Sequence, residues 1–235
     1  MKKGIIYYTD NEIQDPIDSL VKSFILEANL PITSVSLKPI DFGDNYSLPF
    51  ERGYKTMISQ ILVALGMSTA DYVFFCEHDV LYHPSHFEFN PPRDNMFYYN
   101  NNNWRWLYGS DKAISYDRMI SLSGLCVNRE FALEHYQLRD RKIKEAGNEK
   151  FATKEPDLAR KWGYEPGTKK KKRGGITDDD FDVWTSAKPN IDIRHKKTFS
   201  PPKITLESFK HPPVNWKEIP IEEIPGWDLK RLFNL

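Results

Sequence analysis

This sequence has few cysteines and no excess of charge of either sign, and each shortage excludes a class of protein. Its 235 residues include two cysteines, Cys76 and Cys126, and 33 basic side chains balance 33 acidic ones. Two cysteines in separate apolar runs exclude a disulfide framework and a cysteine-based metal site, so we expect buried free thiols and a reducing compartment. A net charge of zero gives no sign of a nucleic-acid or membrane partner.

Long apolar runs and glycine-rich phosphate loops are also missing. No segment approaches the roughly 20 apolar residues of a membrane-spanning helix, and the apolar part of residues 1–8 is too short for a signal peptide. Because the sequence has no glycine-rich phosphate loop, it does not support the function of a nucleotidyltransferase. We therefore expect a soluble, cytoplasmic protein without a membrane partner.

Strands and amphipathic helices alternate through the first half of the chain. Strands are predicted at Gly4–Thr9, Ile32–Leu37 and Tyr72–Cys76 because their apolar runs are short and continuous. Helices are predicted from Pro16 to about Ala28 and over Glu51–Met67, where apolar residues recur at helical spacing. This alternation predicts an α/β fold, a Rossmann-type layered domain with a mainly parallel, mixed sheet.

The second half is predicted to add strands, one long helix and an irregular arm. Asn128 is expected to cap a helix that runs to about residue 145. Prolines crowd residues 197–235, which we expect to form an arm packed on a domain of residues 1–196, closed by a helix from Trp227. The remaining predictions are a polar loop at Asp41–Pro49, strands at Met96–Tyr99, Trp104–Leu107, Met119–Val127 and Asn190–His195, and a short helix at Asp178–Ser186.

The polar triplet Glu77-His78-Asp79 directly follows the most apolar strand. Ligands of open α/β sheets bind at the carboxyl edge of the strands, and carboxylates there suit a hard divalent cation that carries phosphates. A solvated turn after a core strand is the plain alternative. His195 ends a second, alternating strand, and neutral imidazole beside a carboxylate is reasonable coordination for Mn²⁺, although a lone histidine is more often a surface residue.

Other segments have both a functional and a structural interpretation. Tyr8-Thr9-Asp10 ends the first strand, where a ligand or an ordinary turn is expected. Arg52 and Lys55 can meet a diphosphate or form a solvated helix face. Gly124 lies inside a predicted strand, which indicates either a bulge or close backbone approach by a ligand. The run Asp178-Asp179-Asp180 can cap a helix.

The chain resembles the GT-A class of nucleotide-sugar glycosyltransferases over roughly residues 4 to 196. The resemblance rests on the triplet Glu77-His78-Asp79 at a central strand end, on Tyr164-Glu165-Pro166-Gly167, on the acidic run, and on Ile191–His195. It implies that Asp79 binds Mn²⁺ or Mg²⁺ bridging the donor diphosphate, with His195 as a further ligand. Glu77, which replaces the usual first aspartate, would lie nearer the ribose, and His78 belongs to the same nucleotide-binding stretch.

The same resemblance implies roles for the remaining segments. Asp179, or else Asp180, would be the general base of an inverting transfer to an acceptor hydroxyl. The donor would be a nucleotide-diphosphate sugar, most often a UDP-sugar in this class. The residues expected to meet the donor are Tyr8, Thr9, Asp10, Arg52, Lys55 and Gly124.

The acceptor is suggested by a further likeness to phage and bacterial transferases, which points to a modified nucleobase in DNA. The basic run Lys169–Arg173 would then bind DNA phosphates, although most basic runs of this kind are solvated loops. Four aromatic residues offer stacking faces, with core packing favoured for at least two of them: Tyr98, Tyr99, Trp104 and Trp106. A non-catalytic nucleotide- or nucleic-acid-binding module of the same fold is the alternative to an enzyme.

Overall fold

The computed structural model describes residues 1–145, 162–168, 180–198 and 202–235. The helices in these ranges are α1 (Ile17–Leu26), α2 (Tyr54–Met67), α3 (Arg129–Glu145) and α4 (Leu229–Phe233). The strands are β1 (Lys3–Thr9), β2 (Ile32–Ser36), β3 (Asp44–Ser47), β4 (Tyr72–Glu77), β5 (Val80–Leu81), β6 (Phe97–Asn100), β7 (Asn103–Leu107), β8 (Lys112–Ser115), β9 (Leu125–Asn128), β10 (Phe181–Trp184), β11 (Asn190–Arg194) and β12 (Lys217–Pro220).

A seven-stranded sheet forms the centre of the molecule, in the order β10-β6-β9-β4-β1-β2-β3. The pairs β4–β1, β1–β2, β2–β3 and β10–β6 are parallel, whereas β9 runs antiparallel to both of its neighbours. The predicted α/β fold with a mainly parallel, mixed sheet is therefore confirmed. Parallel strands place their carboxyl ends at one edge, and this edge carries the polar residues that follow β1 and β4.

The central sheet is covered on both faces, as parallel sheets require. On one face, Ile6 and Tyr8 of β1 pack in a core with residues of α2 and α3. On the other face, Ile5 and Tyr7 pack with α1, a second sheet and the C-terminal residues. Because β1 alternates between two cores and is buried on both sides, it appears in the sequence as one continuous apolar run.

The second sheet has five strands in the order β12-β8-β7-β11-β5. The segment Asn100–Asn103 does not close a hairpin, because β6, which ends at Asn100, belongs to the central sheet and β7, which begins at Asn103, belongs to the second. Asn103 Nδ2 donates to Asn100 O at 2.6 Å, and Asn100 Nδ2 donates to Ser186 Oγ at 2.9 Å. These amide side chains hold the chain as it crosses between sheets.

Three secondary-structure predictions were wrong in part. The polar loop at Asp41–Pro49 contains β3, which pairs with β2. The helix predicted at Asp178–Ser186 is instead β10 over its described part, because Phe181–Trp184 pairs in parallel with β6. The strand predicted at Met119–Val127 begins only at Leu125, after a 3-10 turn at Leu122–Gly124. For β3 and β10, pairing with a neighbouring strand of the sheet outweighs the local preference.

Other predictions agree with the structure. Asn128 caps α3, since its Oδ1 accepts the N–H of Phe131 at 3.1 Å. Cys76 and Cys126 are buried free thiols, as expected. No helix in the described parts of the chain is long and apolar enough to span a membrane.

The C-terminal residues contact the rest of the molecule closely. Trp227 Nε1 donates to Pro189 O at 2.7 Å, and its ring lies edge-on to Phe24 at 4.9 Å. Phe233 of α4 lies 5.0 Å from Trp106. β12 extends the second sheet by pairing with β8. The division into a domain of residues 1–196 and an arm of residues 197–235 stays a prediction.

Candidate active site

Three side chains from distant parts of the sequence meet beside a cleft: His78, Asp79 and His195. One potential ligand atom from each lies within 4.8 Å of the others. His195 Nε2 is 3.6 Å from Asp79 Oδ2, and the centres of the two histidine rings are 6.5 Å apart. The structure thus brings together Asp79 and His195, the two residues that the sequence assigned to a cation, and adds His78.

Strand pairing explains why these residues converge. After β4 ends at Glu77, the chain turns tightly into β5, which pairs antiparallel with β11. Ile193 N in β11 donates to Asp79 O at 2.8 Å, so the end of β11 lies against the turn. His195 follows β11 at once and is held by its own backbone N–H, which donates to Thr198 Oγ1 at 2.9 Å.

The polar atoms of this cluster suit a divalent cation. His78 Nδ1 and His195 Nε2 are buried and have no hydrogen-bond partner among the described residues. Buried polar atoms are ordinarily paired, so two unpaired ring nitrogens beside a carboxylate match the donor atoms of a cation site. Two imidazoles and one carboxylate form a donor set that suits Mn²⁺ better than the oxygen-preferring Mg²⁺.

The histidine tautomer sets one condition on this site. His195 Nδ1 accepts a long hydrogen bond, 3.3 Å, from the N–H of Lys197. In a neutral ring an accepting Nδ1 leaves the proton on Nε2, which faces Asp79. Coordination through Nε2 needs the opposite tautomer, and therefore the loss of this long hydrogen bond.

The two carboxylates of the triplet differ in their protonation. Burial by itself raises the pKa of Asp79, but His195, His78 and Arg194 outweigh it and hold that pKa below its ordinary value. Burial, and then the charge of Asp79, raise the pKa of Glu77 to about 8, against the hydrogen bond from Tyr8. Asp79 is thus the more acidic of the two carboxyl groups, and Glu77 keeps its proton to a higher pH.

The cleft next to the cluster encloses about 1030 Å³ of space, part of it open to solvent. One wall comes from the carboxyl edge of the central sheet and the start of α2. Tyr8 Oη donates to Glu77 Oε1 at 2.6 Å, and Arg52 Nε donates to Asp10 Oδ2 at 2.5 Å. Asp10 Oδ1 is 3.8 Å from His78 Nε2, so the residue that follows β1 lies close to the cluster of His78, Asp79 and His195. Tyr8, Thr9, Asp10, Arg52, Glu77, His78 and Asp79 all line the cleft.

Other residues assigned from the sequence lie elsewhere. Lys55 is buried in α2, and Gly124 ends a 3-10 turn where an added Cβ would come within 3.2 Å of Asn100 O. Neither lines the cleft, and the close approach at Gly124 is to the protein's own backbone. The contacts of both residues with a donor stay predictions.

The general-base prediction concerns Asp179 and Asp180. Asp179 is outside the described residues. Asp180 is exposed, accepts the N–H of Phe181 at 3.1 Å, and does not line the cleft. It precedes β10, which runs in the same direction as β4, so it lies at the amino end of its strand while Glu77 ends β4. Its catalytic role stays a prediction.

The core packing that the sequence favoured for at least two of the four aromatic residues applies to all four of them. Trp106 and Tyr99 are 0% exposed, Tyr98 is 2% exposed and Trp104 is 8% exposed. Trp104 and Trp106 lie in the core that includes α1 and the second sheet, Tyr99 lies in the core with α2 and α3, and Tyr98 packs against Phe89. The basic run Lys169–Arg173 lies outside the described residues.

The second wall of the cleft was not anticipated from the sequence. It comes from the second sheet and holds Arg105, Asp192 and Arg194. Asp192 Oδ2 accepts from Arg105 Nε at 2.9 Å, and Asp192 Oδ1 accepts from Arg194 Nη1 at 3.2 Å. The alternation of Asp192 and Arg194 with apolar Ile191 and Ile193 was the available signal, since alternate residues of a strand share a face.

A short segment bearing Tyr164 and Glu165 also lines the cleft. It is anchored by α2 and α3, because Tyr54 Oη donates to Gly163 O at 2.5 Å and Arg139 Nη1 donates to the same oxygen at 2.7 Å. Tyr99 Oη donates to Pro166 O at 2.7 Å. The buried guanidinium of Arg139 therefore positions a cleft residue from behind.

No protein-family model and no curated protein matches this chain. Among solved structures, a glycosyltransferase involved in glycosylation of the major capsid of PBCV-1 is 12% identical with a TM-score of 0.44, and the match covers 79% of this chain and 82% of that one. The glycosyltransferase GlyE of Streptococcus pneumoniae TIGR4 is 16% identical with a TM-score of 0.39, covering 63% of this chain and 40% of that one. A Drosophila beta-1,4-galactosyltransferase 7 variant, in complex with manganese, UDP-Gal and xylobiose, is 14% identical with a TM-score of 0.35, covering 67% and 69%. All three are glycosyltransferases, at a similarity too low to assign this chain to their families.

Proposed function

We propose that the protein is a metal-dependent glycosyltransferase that transfers a sugar from a nucleotide-diphosphate sugar to an acceptor hydroxyl. The favoured donor is a UDP-sugar. The observation that carries the proposal is the convergence of His78, Asp79 and His195 within 4.8 Å at the edge of a cleft. The cleft lies at the carboxyl ends of β1 and β4, where α/β sheets bind nucleotides.

Each side chain of the first wall has a task in this reaction. Asp79 and the two histidines would hold Mn²⁺ or Mg²⁺, which would offset negative charge on the leaving diphosphate. Arg52, whose Nε already contacts Asp10, adds a second positive charge near the phosphates. Tyr8, Thr9 and Asp10 receive the nucleoside, and Glu77 lies beside the ribose.

The transfer itself exchanges one bond to the anomeric carbon for another. The acceptor oxygen forms a bond to that carbon, the bond to the diphosphate breaks, and a carboxylate takes the acceptor proton. We propose an inverting transfer, in which the acceptor oxygen attacks the anomeric carbon from the face opposite the diphosphate while the base takes the acceptor proton. Asp179 or Asp180 remains the proposed base.

The first test is donor binding by thermal unfolding. A ligand that binds only the native state raises its stability by RT ln(1 + [L]/Kd), so UDP with Mn²⁺ should raise the melting temperature of the wild type. Asp79→Asn should abolish this rise because the only carboxylate of the cluster is lost. Asp44→Asn, an exposed aspartate at the start of β3, is the matched control and should keep it. A full rise in Asp79→Asn would contradict the assignment.

The second test separates an enzyme from a binding module of the same fold. Glycosyltransferases that lack an acceptor commonly hydrolyse their donor slowly, so we expect release of UDP from a UDP-sugar in the presence of Mn²⁺. A chelator should stop it, and Asp79→Asn should show none. Binding of UDP without any turnover of UDP-sugars would favour the non-catalytic alternative.

A further inference from the structure

Three aromatic side chains form a partly exposed cluster at the edge of the second sheet: Tyr116, Phe209 and Trp216. The rings of Tyr116 and Trp216 are nearly parallel, at 6° and 6.0 Å between centres. Phe209 meets both edge-on, at 5.2 Å from Tyr116 and 6.0 Å from Trp216. We call these three residues the aromatic platform. A contiguous apolar patch at the surface is a candidate binding surface.

The platform is built by two segments that hydrogen-bond to each other. Asp117 N donates to Val214 O at 3.0 Å, and Asn215 Nδ2 donates to Asp117 Oδ2 at 2.8 Å. β12, which begins directly after Trp216, pairs with β8, which ends directly before Tyr116. The rings are therefore held in place before any ligand arrives, which lowers the entropy cost of binding.

The platform is joined to the cleft through Arg105. Arg105 lines the cleft and donates through Nε to Asp192, which also lines it. Its Nη1 donates to Tyr116 Oη at 3.3 Å and to Lys203 O at 3.2 Å. The ammonium of Lys203 in turn lies 5.3 Å from the centre of the Phe209 ring. The platform is thus linked through the Arg105 hydrogen bonds to the second wall of the cleft.

We infer that the aromatic platform is the acceptor-binding surface of the enzyme and that the acceptor is a saccharide. This inference rests on the proposed function, because the donor occupies the first wall of the cleft. The second wall, with Arg105 and Asp192, is then the side from which an acceptor hydroxyl approaches. Sugar rings place their C–H groups on aromatic faces, while their hydroxyls bond to charged side chains such as Arg105 and Asp192.

The charges of the cleft favour a saccharide over a nucleic acid. On the side of the cleft left for the acceptor, Arg105 and Arg194 are balanced by Asp192 and Glu165, so this side has no excess of positive charge. A surface that binds DNA needs an excess of positive charge to meet the phosphates. A neutral saccharide has no such requirement. Because Trp104, Trp106, Tyr98 and Tyr99 are buried, these four rings offer no stacking surface to a base.

The inference is tested by binding of the full chain to an array of immobilised saccharides, with a single-stranded DNA oligonucleotide as the competing probe. We expect the wild type to bind at least one saccharide and Trp216→Ala to bind it about tenfold more weakly, the effect of losing roughly 1.4 kcal/mol. Trp216→Phe, which keeps a ring, should retain most of the binding. Tyr108→Ala is the matched control, because Tyr108 is a half-exposed aromatic residue that packs on Trp106 and Phe233 instead.

Thermal unfolding with UDP and Mn²⁺ is measured on every variant, and Trp216→Ala should keep the wild-type rise. If none of the saccharides binds, or if Trp216→Ala binds as tightly as the wild type, the inference is wrong. Either result leaves the proposed donor site unaffected. Binding of the oligonucleotide through Trp216 in place of a saccharide would overturn it in favour of a nucleobase acceptor. Loss of the UDP and Mn²⁺ effect in the wild type would instead refute the proposed function.

Discussion

Mild acid should destabilise this protein through His86, which lies in the core where the two sheets meet. His86 is 0% exposed, and its Nδ1 is 3.1 Å from both Asn100 Nδ2 and Asn190 Nδ2. The orientation of Asn100 is fixed, because its Oδ1 accepts the N–H of Ser186 at 3.2 Å and of Asn102 at 3.0 Å. Two amide donors therefore face Nδ1, so this nitrogen must act as a hydrogen-bond acceptor. The positively charged imidazolium, which carries a proton on Nδ1 as well, does not fit this environment.

The sign and size of the effect follow from the pKa. Burial lowers the pKa of His86 from 6.5 to about 3 in the folded protein. Below pH 6.5 the unfolded chain takes up a proton that the folded chain refuses, so stability falls as the pH drops from 6.5 towards 3. Because of this one group, the free energy of unfolding is about 2 kcal/mol lower at pH 5 than at pH 7. It falls by roughly 1.4 kcal/mol per pH unit below 6.5.

The assay is urea unfolding at pH 7 and at pH 5, compared between wild type and His86→Gln. Glutamine keeps an acceptor oxygen but does not titrate. Between pH 7 and pH 5 the free energy of unfolding should therefore fall by about 2 kcal/mol less in the variant than in the wild type, whatever the stability of the variant at pH 7. His211→Gln, at an exposed position, is the control and should lose as much as the wild type. Equal losses in wild type and His86→Gln would refute the reasoning.

Two further predictions concern backbone positions. Gly43→Ala should cost more than about 2 kcal/mol in urea unfolding, because Gly43 has a φ of +63° and a Cβ there would lie 2.5 Å from Ile32 O. Gly66→Ala, in α2 with nothing within 4 Å, should instead stabilise by about 0.5–1 kcal/mol, and similar effects at the two glycines would contradict this account. Asn128→Ala should cost about 1 kcal/mol through loss of the α3 cap, with no change in the UDP-dependent thermal shift. An unchanged urea midpoint in Asn128→Ala would show that the cap contributes nothing.

The central elements of the fold could be predicted because their signals are local. β1 and β4 are continuous apolar runs, and α1 and α2 repeat apolar residues at helical spacing, so each appears in its own few residues. The position of Glu77-His78-Asp79 at the sheet edge followed from the same pattern. β3, β5, β8 and β12 are short strands of two to four residues that exist because a partner strand lies beside them. A pattern of that length carries almost no periodicity.

The chain by itself determined which residues form the central strands and that a carboxylate and a histidine follow two of them. Only the folded structure decided that these two strand ends meet, because the contact between β5 and β11 joins segments more than a hundred residues apart. Tertiary structure likewise assigned the aromatic residues, burying Trp104 and Trp106 while leaving Trp216 partly in water. Exposure depends on what packs over a strand, and that covering comes from distant sequence.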